Sequence, residues 1–244
     1  MDDWVEAFPL PEAQAAVSAL CDAWNEIAQA PKLGFQPSLS EPKLTRALKA
    51  YVEQVTARDR GLLGMWATES VINTIDAATL ELKDERRTDI VYGWNNDEIG
   101  IQLVFEFKKL TAQKASRARY LGVSGLQRFV TGIYAKQQAV AAMAAILMDD
   151  EALVVPPLRD ALVEAKLAAT LKIIPTAAGD HYERPSSLFP NYADFDTQHT
   201  RPEELAATHG TILVSHVFLK FGYPIPKKQN ARSTAKTRPR AKAG

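Results

Sequence analysis

Three side chains with hydrolytic potential lie in one short stretch of the chain, residues 88–110 (TDIVYGWNNDEIGIQLVFEFKKL). Sixteen residues separate Asp89 from Glu106, and Lys108 follows Glu106 by two positions. Carboxylates on neighbouring strands can hold a hard divalent cation. A lysine within reach can orient a water molecule or neutralise charge that develops on a phosphate. These residue types indicate metal-assisted hydrolysis, provided that the fold brings them together.

The surrounding pattern predicts a β-hairpin that would bring them together. Residues 101–108 alternate in the manner of a strand with one face in a core. A β-prone run at 88–94 contains Asp89, and the NNDE segment at 95–98 is rich in turn formers. Glu106 and Lys108 project from the same face of their strand. An antiparallel hairpin therefore brings Asp89 beside both.

This arrangement of Asp89 and Glu106-Phe107-Lys108 resembles the PD-(D/E)XK motif of the restriction-endonuclease-like nuclease superfamily, although Thr88 stands where the name has proline. The likeness covers roughly residues 41–150 and is greatest to bacterial members associated with defence genes or mobile elements. Gln127 and Tyr134 lack the spacing of the helicase-associated RecB-like branch, so the chain is not assigned to it. The positions after the hairpin that look similar are Tyr120, Gly125, Arg128, Phe129, Val130, Gly132, Tyr134 and Ala135.

The E-x-K tripeptide is not specific by itself, because it also occurs at Glu41, Glu81 and Glu164. Only Glu106 lies in a strongly alternating apolar run that follows a second β-like run with an aspartate. Glu41 precedes a proline at a predicted helix start, and Glu164 lies in a helical pattern. Context therefore selects Glu106 as the motif residue.

The resemblance implies an α/β fold with a restriction-endonuclease-like α-β-β-β-α-β core, extra N-terminal helices and a C-terminal elaboration. It implies Mg²⁺ or Mn²⁺ as cofactor, bound by Asp89, Glu106 and the backbone carbonyl of Phe107, with Lys108 as the catalytic lysine. A helix glutamate sometimes completes such a site, and Glu41 and Glu69 are both candidates. Each also fits a plain role: Glu41 as a first-turn acid favoured by the helix dipole, and Glu69 as a solvated residue of a helix-like stretch.

Basic residues near the hairpin form a candidate nucleic-acid-binding surface. Arg128 has three interpretations from the sequence: it contacts a phosphate, it orients Glu106, or it is a surface arginine with a local partner. The residues of this surface are Lys109, Lys114, Arg117, Arg119 and Arg128.

Apolar periodicity and turn formers predict the remaining elements. Residues 176–210 are expected to form a long insertion packed over the core, without the residue spacing of a zinc site. His216 is expected to be a core histidine. We predict a helical extension at 1–40, a nuclease-like domain at 41–226 and a disordered basic tail at 227–244. The predicted helices are about 11–30, 41–58 (capped by Ser40), 117–139 and 157–170, and the further strands are 141–148 and 211–221.

Length and composition indicate one elaborated domain, because 244 residues with 46% hydrophobic content can bury a full core. The single Cys21 fits a reducing cytosol, no apolar run is long enough for a bilayer, and Met1 is followed by two aspartates rather than by a signal sequence. We therefore expect a cytoplasmic protein. Residues 227–244 carry seven Lys or Arg and no acid, which leaves 22 Lys or Arg against 29 Asp or Glu in the remaining body, a net charge of about −7.

The sequence thus predicts a metal-dependent endonuclease that, by resemblance, acts on DNA, with defence against phage or foreign DNA as a setting. Two alternatives remain open: a nuclease-fold subunit that binds nucleic acid or protein without cutting, and an RNase. The chain has no nucleotide-binding glycine loop, so a separate subunit would supply any ATPase or targeting activity. Since one such site cuts one strand, we expect a homodimer or a larger complex.

Overall fold

The structure of the chain, a computed structural model, describes residues 3–75, 82–96 and 99–226. Within these ranges only the backbone is described for residues 3, 6, 69–75 and 82–88. The predicted basic tail at 227–244 and Glu81 lie outside the described residues.

A six-stranded mixed sheet organises the described part of the chain, with the order β1-β2-β3-β4-β6-β5. The first three strands form an antiparallel meander, β3, β4 and β6 run parallel, and β5 is an antiparallel edge strand. The predicted hairpin is confirmed as β2 and β3, and the other two predicted strands as β4 and β6. The strands are β1 (Met65–Ile75), β2 (Leu82–Asn95), β3 (Gly100–Leu110), β4 (Val140–Leu147), β5 (Phe195–Thr200) and β6 (Thr211–Leu219).

Helices cover both faces of this sheet. The helices predicted at 11–30 and 41–58 are confirmed as α2 and as α3 with its continuation, a π-helical turn at Val52–Thr56 that leads into α4. Ser40 occupies the N-cap of α3, but its side chain makes no capping hydrogen bond. The helices are α1 (Asp3–Ala7), α2 (Leu10–Ile27), α3 (Glu41–Tyr51), α4 (Ala57–Asp59), α5 (Lys114–Leu121), α6 (Gln127–Val130), α7 (Glu151–Leu162) and α8 (Ala165–Thr170).

Two hydrophobic cores lie on the two faces of the sheet, because successive strand residues point to opposite sides. Phe105 and Phe107 pack with α2 and α3 in one core, whereas Val104 and Met143 pack with α5, α6 and α7 in the other. Every residue of β4 is buried, as its continuous run VAAMAAIL requires of a central parallel strand. None of the helices in the described ranges has the length and apolar character to cross a membrane.

The helix predicted at 117–139 is wrong in extent, because the chain there forms the two short helices α5 and α6. A Cβ at Gly125 would lie 2.1 Å from the carbonyl oxygen of Tyr120, so the turn between them requires glycine. Beyond α6, Ala135 and Gln137 have φ values of 51° and 59°, in the left-handed region that a right-handed helix cannot contain. The result is an irregular connection from α6 to β4.

The helix predicted to start after Pro156-Pro157 instead starts at Glu151. Asp150 is its N-cap and accepts a hydrogen bond from the Ala152 N–H at 3.0 Å. The prolines lie inside α7, where burial of residues such as Leu158 and Leu162 outweighs the lost backbone hydrogen bonds. The C-terminal part of the predicted helix forms a separate short helix, α8.

Two further predictions require correction. The stretch around Glu69, which has a helix-like pattern, forms strand β1; its β-branched residues favour an extended chain when β2 is available for pairing. The segment 176–210 is more than an insertion, since it supplies the edge strand β5. This strand is not predicted because its sequence, FDTQHT, is largely polar. His216 is a buried core histidine, as predicted, with Tyr120 and Thr197 as hydrogen-bond partners at 2.9 Å each.

Candidate active site

Strands β2 and β3 separate at the point where the candidate residues lie. The paired residues of the two strands end at Ile90 and Phe105, whereas β3 remains paired with β4 as far as Leu110. N–H groups of alternate residues point to the same edge of a strand, so β3 has N–H groups without strand partners on the side that β2 leaves. Buried backbone donors of this kind need other acceptors.

Two carboxylates supply those acceptors. Asp89 Oδ2 accepts a hydrogen bond from the Phe107 N–H at 2.8 Å, and Glu41 Oε2 accepts one from the Lys109 N–H at 2.8 Å. Asp89 belongs to β2 and Glu41 to the first turn of α3, which packs on the sheet. The separation of the strands therefore creates a notch in the sheet with a carboxylate from each side. We define the notch as the group Glu41, Asp89, Glu106 and Lys108.

Lys108 connects the carboxylates of the notch. Its Nζ donates to Glu106 Oε1 at 2.6 Å, to Glu41 Oε1 at 3.1 Å and to the carbonyl oxygen of Phe107 at 2.6 Å. Burial would lower the pKa of Lys108, but the charges of Glu106 and Glu41 outweigh it and raise that pKa above its usual value. Lys108 is therefore a permanent cation at neutral pH, suited to donating hydrogen bonds rather than to accepting a proton.

Glu106 is the most constrained acid of the notch. Its side chain is almost fully buried at 2% exposure, and its Oε2 has no hydrogen-bond partner. Burial and the neighbouring Asp89 carboxylate together raise the pKa of Glu106 to about 8. Burial also raises the pKa of Asp89. A buried carboxyl group and a half-buried one this close are stable as a charged pair only with a cation between them or beside them.

A divalent cation fits this arrangement. The unpartnered Oε2 of Glu106 is a buried oxygen of the kind that Mg²⁺ and Mn²⁺ prefer, and Asp89 adds a second carboxylate. Among the residues with described side chains, no three His, Cys, Asp or Glu converge as a complete metal cage. Both oxygens of Glu41 are held by Lys108 and Lys109. Water molecules would supply further ligands for a cation on Glu106 and Asp89, and the Phe107 carbonyl, which already accepts from Lys108 Nζ, would join them through its second lone pair.

Arg128 and Tyr134 form a pair beside the notch. Arg128 donates from Nη1 to the Tyr134 hydroxyl and from Nε to the Val123 carbonyl at 3.1 Å, and its guanidinium carbon lies 5.1 Å from the centre of the Tyr134 ring. The positive charge of Arg128 acts to lower the pKa of Glu106, against the larger effects of burial and Asp89. Arg128 therefore has a local partner and still places a positive charge toward the notch.

The other basic candidates divide into two groups. The Lys109 ammonium is committed to the protein, since it donates to the carbonyl oxygens of Pro37, at 2.6 Å, and Leu39. Lys114 and Arg119 are exposed on α5, with Arg117 partly exposed between them, and the side chains of the three make no hydrogen bond or ion pair within the described residues. The geometry leaves α5 as the basic surface beside the notch.

Of the two helix-glutamate candidates, Glu41 has its side chain in the notch. Glu69 lies in β1 between Thr68 and Ser70, which pair with Ile90 and Thr88, and its side chain is outside the described part of the structure. Glu164 is the N-cap of α8 and is not part of the notch.

Sequence reasoning missed two features of the site: the anchoring of Lys109 on the segment before α3, and the pairing of Arg128 with Tyr134. Neither has a local signal, because each joins residues whose meeting depends on the fold. Comparisons with known proteins add no further information: no protein-family model, no curated protein and no solved structure matches the chain.

Proposed function

We propose that the chain is a metal-dependent nuclease that hydrolyses phosphodiester bonds, with DNA as its substrate. The observation that carries this proposal is the meeting of Asp89, Glu106 and Lys108 where β2 leaves β3, with one buried Glu106 oxygen lacking any partner. Such a buried acid destabilises the fold unless a ligand compensates for it, and acids with perturbed pKa values of this kind cluster at functional sites.

The order of elements supports the resemblance to restriction-endonuclease-like nucleases. Helix α3 is followed by the meander β1-β2-β3, then by α5 and α6, and then by β4 beside β3. This is the α-β-β-β-α-β order that the resemblance implies. The strands β6 and β5 extend the sheet beyond β4 as the C-terminal elaboration, and α1 and α2 precede the core.

The residues of the notch have distinct chemical roles in this proposal. Asp89, Glu106 and the Phe107 carbonyl would hold Mg²⁺ or Mn²⁺, which lowers the pKa of a bound water and neutralises charge on the phosphate. Lys108, a fixed cation whose three N–H donors bind Glu106, Glu41 and the Phe107 carbonyl, would exchange one of these bonds to orient the attacking water and to stabilise the negative charge of the pentavalent transition state. Glu41 holds Lys108 in place from the opposite side. Arg128 and the basic residues of α5 attract the phosphate backbone.

A non-cutting role in a defence or mobile-element complex is the second candidate. It is favoured by one observation, namely that Lys108 Nζ lies 2.6 Å from Glu106 Oε1 and so already supplies a cation to that carboxylate. In that role the lysine would permanently replace the metal, and the notch would serve to hold the sheet together.

One assay distinguishes these roles. The purified protein is incubated with supercoiled, linear and single-stranded DNA and with single-stranded RNA, each in Mg²⁺, Mn²⁺ or EDTA. The proposal expects cleavage of DNA in both metals and none in EDTA. Cleavage confined to RNA would assign an RNase, and binding without cleavage under every condition would support the non-cutting role.

A further inference from the structure

A cavity lies at the β5 edge of the sheet, away from the notch. It has a volume of about 850 Å³, within the range of small-molecule sites. The chain from 174 to 188 frames it, because Ile174 and Glu183 form backbone hydrogen bonds to the outer edge of β5. The apolar part of its wall includes Trp4, Val5 and Leu10 from the N-terminal helices.

Two buried polar atoms without partners lie at this edge. Asp196 in β5 lines the cavity at 2% exposure; its Oδ2 accepts hydrogen bonds from the Ser187 N–H and hydroxyl at 2.7 and 2.9 Å, but its Oδ1 has no partner. Ser215 in β6 is fully buried, and its hydroxyl also has no partner. The two residues are directly paired across the antiparallel strands and therefore project to the same face. Unsatisfied polar atoms rarely occur side by side in a core unless a further group binds them.

The charges around the cavity select a cationic ligand. The carboxylates of Asp180, Glu183 and Asp196 line it, whereas its one arginine, Arg184, donates from Nε to Asp194 outside the cavity at 2.9 Å. An anion such as a nucleotide phosphate would meet these acids without compensation. A ligand with N–H donors and a positive charge would satisfy Asp196 Oδ1, and an apolar portion would contact the wall that contains Trp4, whose ring face also attracts cations.

We propose that this cavity is a binding site for an organic cation of the alkylguanidinium or alkylammonium class. The charged end binds Asp196 Oδ1, and the alkyl portion packs against Trp4, Val5 and Leu10. The site is separated from the notch by β4 and β6 and requires neither metal nor nucleic acid. It is therefore independent of the proposed nuclease activity.

The test is a calorimetric titration of the full chain with butylguanidinium, and with butylurea as a neutral ligand of matched shape. We expect saturable binding of butylguanidinium and at least tenfold weaker binding of butylurea. Asp196→Asn keeps an oxygen for Ser187 and removes the charge, so it should weaken butylguanidinium binding at least tenfold. Val5→Ala, a smaller change in the apolar wall at a partly buried position, should weaken it severalfold and provides a second variant that is expected to fold.

Asp160→Asn is the matched control, because it removes the same charge from an exposed position on α7 that does not line the cavity. We expect it to change the affinity less than twofold. Equal binding of butylguanidinium and butylurea, absence of saturable binding in the wild type, or equal losses in Asp160→Asn and Asp196→Asn would each overturn the proposal. Absence of binding would mean that a buried water satisfies Asp196 and Ser215.

Discussion

At the scale of single residues, one lysine, one buried acid and one half-buried acid share charge in the notch. Lys108 and Glu106 are an ion pair at 2.6 Å, yet burial and Asp89 favour the protonated form of Glu106 by raising its pKa. A divalent cation would resolve this conflict, because it supplies the second positive charge that two carboxylates require. The unpartnered Oε2 of Glu106 is the atom through which it would do so.

Replacing Lys108 separates its role from metal binding. Lys108→Met keeps the length of the side chain and removes the charge, so cleavage should fall roughly 100- to 1,000-fold, the effect of losing one donor to a transition state. The apparent affinity for Mg²⁺ should not fall and should increase, because the competitor for Glu106 is gone. Cleavage rates across a Mg²⁺ titration measure both quantities. Weaker Mg²⁺ binding with an unchanged maximal rate would contradict the assigned role.

The raised pKa of Glu106 predicts how stability and metal binding change with pH. A carboxyl whose pKa is raised in the folded state stays protonated there after it ionises in the unfolded chain. The stability from Glu106 is therefore complete below its unfolded pKa and is lost as pH rises through about 8; Asp89 acts in the same direction. The metal-free protein should unfold more easily at pH 8 than at pH 5.5.

Mg²⁺ should reverse this trend, because it competes with the proton on Glu106. Its apparent affinity should rise by up to about tenfold per pH unit toward pH 8 and then level off. At 100 times Kd the metal would add roughly 2.7 kcal/mol of stability. Thermal unfolding from pH 5.5 to 8.5, with EDTA or Mg²⁺, measures the stabilisation by the metal at each pH. Glu106→Gln is the control. A Mg²⁺-induced increase in the unfolding temperature of the wild type that does not depend on pH would contradict the role of Glu106.

At the scale of elements, the site results from the early departure of β2 from β3. Alternation of side chains is enough to predict the hairpin and the shared face of Glu106 and Lys108. It cannot predict where pairing ends, because the ladder stops at Ile90 only when Asp89 and Glu41 provide substitute acceptors for β3. For the same reason the pattern of β1 wrongly predicts a helix: its partner strand, rather than its own periodicity, makes it extended.

Residues that combine a charge with a long stem are the hardest to assign from sequence. Lys109 and Lys114 are both lysines of the predicted basic surface, yet one binds backbone carbonyls and the other is exposed. The position of Lys109 depends on the path of residues 37–39, which have no periodic pattern. By contrast, β4 is predictable because its apolar run can only be a buried segment.

Lys109 should therefore act as an anchor of α3 rather than as a DNA contact. Lys109→Met leaves the carbonyls of Pro37 and Leu39 without their donor, which should cost about 1–3 kcal/mol of unfolding free energy. Glu41 would be less fixed, so the cleavage rate should also fall. The salt dependence of DNA binding should remain unchanged.

Lys114→Met is the matched control for this prediction. It should leave stability and the rate at saturating DNA unchanged and should reduce the slope of log affinity against log salt by roughly 0.9, the contribution of one neutralised phosphate. Chemical denaturation and fluorescence anisotropy on duplex DNA measure the two effects. If the two variants exchanged these phenotypes, the assignment of both lysines would be reversed.

At the scale of the whole molecule, charge is distributed unevenly along the chain. Residues 1–226 carry 22 Lys or Arg and 29 Asp or Glu, while the last 18 residues carry seven basic residues and no acid. An acidic body repels DNA except where α5 presents its basic residues. The terminal segment is then the main sequence feature that favours association with a polyanion.

Truncation after Pro226 tests the contribution of that segment. DNA affinity should decrease, and its salt dependence should flatten by roughly 0.9 for each phosphate that the segment neutralises in the full chain. Turnover at saturating DNA should stay nearly the same, because no residue of the notch is removed. Unchanged affinity and slope would show that the segment serves another purpose, and loss of turnover at saturation would show that it contributes to the active site.

We propose that the notch is a metal-dependent catalytic site for phosphodiester hydrolysis. The most direct measurement is the initial rate of nicking of supercoiled plasmid in Mg²⁺ by the wild type, Glu106→Gln and Glu164→Gln, at equal concentration and with matched circular dichroism. The account predicts rapid nicking by the wild type and by Glu164→Gln, which changes an equivalent tripeptide outside the notch, and loss of at least about 100-fold in Glu106→Gln. Equal nicking by all three proteins, or nicking that persists in EDTA, would contradict it.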